Sequence, residues 1–162
     1  MQQLVSDFKL KKYYTVCQDG LNEYRTGHQD EKLLALTGTA CSYVDNINPL
    51  GSLQAKMIST PESRETSSYF TSLLLQKKLI YHFMLDDISL SNLQLPTSPH
   101  ILSFVFEHLG SKKFKYISQN PKVIKIEEAD KSVLVSLSND QLKKVIIEEY
   151  SGSILVKRHI YQ

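Results

Sequence analysis

"HLGSKKFKYIS", residues 108–118, is where this 162-residue chain changes character. Upstream of it, apolar side chains recur every three to four positions, the period of a helix. Downstream they recur every second position, the period of a strand. Gly110 supplies the break, and Phe114 and Tyr116 already alternate with Lys113 and Lys115.

Downstream lie five short runs rich in β-branched residues: "KFKYIS" (113–118), "KVIKIEE" (122–128), "SVLVSLS" (132–138), "QLKKVIIEEY" (141–150) and "SILVKRHIYQ" (153–162). The turn sets "SQNP", "EADK", "SND" and "YSGS" divide them. Such connections are too short for parallel crossovers, so the pattern predicts an antiparallel β-meander of about four strands. In "SVLVSLS", Val133, Val135 and Leu137 alternate with Leu134, Ser136 and Ser138, as in a strand with one wet face.

Upstream, helix starts and stops punctuate the chain. Ser6 or Asp7 is expected to cap a helix running to about Arg25, and Gly27 to stop it. Asp30 is the expected cap of "EKLLALTGTACSYV" (31–44), whose Leu33, Leu36 and Ala40 suit close helix packing. Asn48–Pro49 and Thr60–Pro61 repeat a cap-then-proline start, the second opening the longest helix. Ser98–Pro99 opens a short one with Ile101, Leu102, Val105, Phe106 and Leu109 inward. Helices first and strands afterwards predict an α+β protein. The expected plan is an N-terminal helical-hairpin bundle of four or five helices (1–110), with an antiparallel β region (111–162) packed on it as one compact unit.

Composition fits that plan. Hydrophobic residues make up 41% and charged residues 22%, enough to bury a core without staples. The formal charge is only +2, so the total demands neither nucleic acid nor an anionic membrane. Its distribution is mildly uneven: residues 1–110 carry 9 basic and 11 acidic side chains, and 111–162 carry 10 and 6. No apolar run is long enough to span a bilayer, and "MQQLVSDFKLKK" has no signal-peptide core. These features predict a soluble chain, cytoplasmic as written. An exported protein is the alternative, if a leader has been removed and Cys17 and Cys41 are bridged. The two cysteines fall at similar heights on facing helices if the hairpin turns near Gly27–Gln29. They read either as a Cys17–Cys41 disulfide or as two small buried thiols.

Residues 30–61 share Leu33, Leu36 and Pro61 with the spacing of a tetratricopeptide repeat. Thr37 stands where that repeat has glycine, Pro49 and Lys56 stand where it has alanines, and no second repeat follows in register. The resemblance covers about a fifth of the chain and assigns no family. What it implies is an interaction role of the kind helical hairpins serve.

The best catalytic-looking cluster is "YHFMLDD" (81–87). On a helix His82 and Asp86 lie four apart on one face, as half of a metal or acid–base site. A histidine near a helix C-terminus is also explained by its complement to the helix dipole. His100, Glu107 and His108 are the nearby donors, and His82, Asp86 and His100 form the metal set of this reading. The ligand set is incomplete by the usual three-ligand requirement, and HExxH, CxxC, GxSxG and phosphate-loop motifs are all missing. The stretch "GSKKFKYISQNPKVIK" (110–125) interleaves lysines with Phe114 and Tyr116, as nucleic-acid surfaces do, but strand alternation produces the same pattern without a ligand.

The resulting expectation is a non-enzymatic protein-interaction or scaffold module with no cofactor. Its partner is a protein, and its terminal strand "SILVKRHIYQ" is the candidate sheet edge for a partner or for a second copy. The alternative is a small metal-dependent hydrolase built on His82 and Asp86.

Overall fold

Lys112, at φ 58°, ends the helical part of the chain in the left-handed region, and the first strand begins three residues later. The computed structural model describes residues 1–162. It contains six helices followed by a five-stranded antiparallel sheet, an α+β arrangement with a β-meander. The helices are α1 (Gln2–Lys9), α2 (Tyr13–Arg25), α3 (Glu31–Tyr43), α4 (Leu50–Gln54), α5 (Pro61–Asp86) and α6 (Ile101–Gly110). The strands are β1 (Lys115–Gln119), β2 (Lys122–Glu128), β3 (Lys131–Leu137), β4 (Val145–Ser151) and β5 (Ile154–Tyr161). None of the helices is long and apolar enough to cross a membrane.

Helix starts agree with their sequence signals in two cases and depart from them in three, one being α4, which begins at Leu50 with Pro49 rather than Asn48 in the cap position. The Asp30 side chain accepts from the Lys32 and Leu33 amides, and Thr60 Oγ1 accepts from Ser63 N–H, as N-caps do. The single helix expected through Arg25 is instead broken at Lys11, which adopts φ 58°. Asp7 does not cap it. It is buried near the end of α1, where its carboxylate accepts from Gln3 and Lys12. The last helix is capped by His100 rather than Ser98: His100 Nδ1 accepts from the Leu102 amide at 3.2 Å. Ser98 instead bonds the Ser103 hydroxyl and the His100 amide.

The chain divides into two compact units, Met1–Leu74 and Leu75–Gln162, and the division falls inside α5. The boundary at 110/111 thus marks the change of secondary structure, whereas the compact units part elsewhere. Within the first unit α2 and α3 approach closely through small residues. Cys17 and Cys41 lie with their sulfurs at bonding distance, 2.09 Å, and their Cα atoms 4.8 Å apart. Gly20 faces Thr37, and Gly38 faces the Phe70 ring. Leu34, Ile47, Leu50, Leu53 and Leu73 complete this unit's core. Full burial of such a side chain contributes roughly 1.5–3 kcal/mol. The Thr37 hydroxyl is enclosed there without a hydrogen-bond partner.

In the second unit the strand order is β1-β2-β3-β4-β5, each strand beside its neighbour in sequence. Register puts Ile124 opposite Val135, Val135 opposite Ile147, and Ile147 opposite His159, so these four share one face. That face is buried, as are Ile80, Phe83 and Met84 of α5 and Leu102, Val105 and Phe106 of α6, and the strands meet both helices at Lys122–Phe83 and Lys131–Phe104. Two elements expected in the helical domain therefore supply the cover for the sheet. The opposite face carries Val123, Leu134 and Ile146, all half-buried, among Ser132, Ser136 and Lys125.

Candidate functional site

His82 and Asp86 do meet. On the last turns of α5, His82 Nε2 lies 3.5 Å from Asp86 Oδ2, and both side chains are about half exposed. The pair gains nothing further, because no group of three His, Cys, Asp or Glu side chains is arranged to hold a metal ion. His100 has its Nδ1 committed to capping α6. His108 donates from Nδ1 to the Phe104 carbonyl at 2.8 Å and turns Nε2 toward Glu128 at 3.9 Å. Asp87, the other carboxylate of the stretch, is paired with Lys122 of β2.

A denser polar cluster lies on the helix-facing side of the sheet, assembled by strand register. Glu149 of β4 takes Lys131 Nζ on Oε2 at 2.6 Å and His159 Nε2 on Oε1 at 2.7 Å. His159 is almost wholly buried, its ring lies parallel to that of Tyr161, and its Nδ1 is 3.4 Å from the Tyr161 hydroxyl. Lys131 also stands 4.7 Å from the centre of the Phe104 ring. Burial pushes the Glu149 carboxyl up, but the Lys131 and His159 hydrogen bonds outweigh it and hold the group below the ordinary glutamate value. A carboxylate held below the ordinary glutamate value by hydrogen bonds from Lys131 and His159 is a poor general base, and a histidine at 3% exposure cannot reach a substrate. The cluster therefore fastens β3, β4 and β5 together. The sequence separates Lys131, Glu149 and His159 by ten residues or more, so only the register could have revealed it.

Two clefts border these elements. One of about 460 Å³ lies between the loop after α5 and helix α6, lined by Leu93, Leu95, Phe106 and Glu107 among others. Its single charged wall residue offers no convergent chemistry. The second, about 380 Å³, is bounded by Glu128, Asp130, Lys131, Tyr150 and Val156 at the β2–β3 turn. Its wall includes Glu149, already occupied by Lys131 and His159.

The sheet edges are unequal. β1 is five residues long and shifts register between Tyr116 and Ser118. β5 is eight residues long and leaves Ile154, Leu155, Val156 and Ile160 exposed at 70%, 42%, 65% and 50%. Its free side faces no other strand. A register shift at Glu149/Tyr150 leaves Val156 as the extra residue between Leu155 and Lys157. Compared with family models, with curated proteins and with solved structures, the chain matches none.

Proposed function

We propose that this protein is a non-enzymatic interaction module that docks a protein partner along the β5 edge of its C-terminal sheet. The observation that carries this reading is the set of exposed aliphatic residues on a long terminal strand that has no further strand on its outer side. Natural sheets usually blunt such an edge with charge. Two of the three cations in "KRH" (157–159) do not serve that purpose. Arg158 is taken up by Glu148, with Nε at 2.7 Å, and His159 by Glu149. An edge that keeps exposed aliphatic residues with only Lys157 as an unpaired charge is suited to strand addition, in which backbone hydrogen bonds provide affinity and alternate side chains provide selectivity.

The test is a random-peptide display selection on the intact chain, followed by amide hydrogen-exchange mapping of each binder. Protection of β5 amides by the selected peptides supports the reading. Selection of none, or binders that protect only other segments, overturns it. The rival reading as a metal-dependent hydrolase has the exposed His82–Asp86 pair in its favour and lacks a third ligand beside it.

A further inference from the structure

From the charge and geometry of β5 we infer that its occupant is an extended segment of another protein, bearing a carboxylate opposite Lys157 and apolar side chains over Leu155 and Ile160. The inference rests on the edge-docking reading and adds the chemistry of the partner. Lys157 is exposed and makes no ion pair although Glu149 stands opposite it on β4, because that carboxylate is taken by Lys131 and His159, while Arg158 is taken by Glu148. No acidic residue lies anywhere on β5. The nearest carboxylates of β4, Glu148 and Glu149, are already engaged, by Arg158 and by Lys131 with His159. The strand thus offers a cation with no ion pair on one side of the sheet and exposed aliphatic side chains on the other.

Leu155 pairs with Tyr150 and Ile160 with Ile146, which places both on the sheet face turned away from the helices. There Ile160 adjoins the half-buried Ile146 and Leu155 the half-buried Tyr150, so a new strand's side chains on that face continue a row already present.

A second copy of this chain fits the same edge poorly. A two-fold seam centred on β5 keeps each residue on its own face and so sets Lys157 opposite Lys157 of the other copy, or Arg158 opposite Arg158, and like charges directly opposite are destabilising. Each copy would also bring the extra residue at Val156 into the seam. A free extended segment brings neither obstacle and can follow the irregular edge.

The experiment uses the intact protein and three end-capped eight-residue peptides of alternating valine and threonine. One has a central glutamate, one a central lysine, and one is the glutamate peptide with N-methylated backbone amides. Affinity is measured at low and high salt, and β5 amide protection is measured for each complex. The glutamate peptide is expected to bind about fivefold more tightly than the lysine peptide, with the difference shrinking in salt. The N-methylated peptide is expected not to bind, and Lys157→Glu is expected to invert the preference. Equal binding of the glutamate and lysine peptides with β5 protected overturns the acidic-partner inference while sparing edge docking. No protection of β5 by any of them, at millimolar peptide, counts against both. A dimer in solution whose β5 amides are protected without peptide overturns the inference in favour of a second copy.

Discussion

Gly20 and Thr37 face each other across the α2–α3 crossing so closely that a Cβ on Gly20 would stand 2.0 Å from Thr37 Oγ1 and 2.8 Å from its Cβ. Glycine is required here by close approach rather than by backbone conformation. Gly20→Ala should force the two helices apart and lower stability by about 1–3 kcal/mol, read from the urea midpoint. An unchanged midpoint would mean that the helices are not packed at this distance.

The same crossing carries Cys17 and Cys41, separated by 24 residues in sequence. A bridge closing a loop of that size should add about 3 kcal/mol, by restricting the unfolded chain. Non-reducing peptide mapping should recover the two cysteine peptides linked, and reductant should lower the unfolding midpoint. Two thiols freely alkylated in unfolded, unreduced protein would exclude the bridge.

Glu31 joins the start of α3 to the segment before α5. Its carboxylate accepts from the Ser59 hydroxyl at 2.6 Å and from the Ile58 and Ser59 amides at 2.9 and 3.0 Å. The Ser59 hydroxyl first, then Ser63 and the Ile58 amide, hold its carboxyl down to about 2. A depressed carboxylate contributes stability above its unfolded value of 4.5, and loses that contribution as pH falls toward 2. Carboxyl carbon NMR should place the Glu31 midpoint near 2, and Glu31→Gln should flatten the stability profile between those limits. A midpoint near the ordinary glutamate value would remove this clamp.

Glu149→Gln deprives the buried His159 ring and Lys131 of their shared anion. It should lower stability by about 1–3 kcal/mol and increase amide exchange in β5. Because its carboxyl lies below the ordinary value, the native protein should lose this contribution as pH falls through the folded-state value. Unchanged exchange in β5 would show that the cluster does not hold the strand.

His82→Ala should leave stability within about 0.5 kcal/mol of the native chain, since the side chain is half exposed and its ion pair lies at the surface. Added zinc should not raise the unfolding temperature of either protein. A zinc-dependent rise lost in the variant would revive the metal reading of "YHFMLDD".

The sequence alone determined where helix gives way to strand, that the strands form a meander, and that Cys17 and Cys41 each lie within a helix. Those properties follow from short-range physics: side-chain period, capping groups and turn residues act within a few positions. It did not foresee the break at Lys11, because the helical period continues through a residue that adopts the left-handed conformation. Nor could it sort the charges of "KRH", since the partners Glu148 and Glu149 are chosen by a register shifted by one residue at Val156. The tertiary structure decided which cations are spent inside the sheet and which one remains at its edge. It likewise left His82 with Asp86 as its one ion-pair partner, while His100 and His108 are held by α6 and His159 by the sheet. Partner choice over such sequence distances is a property of the assembled sheet, which no local pattern of residues encodes.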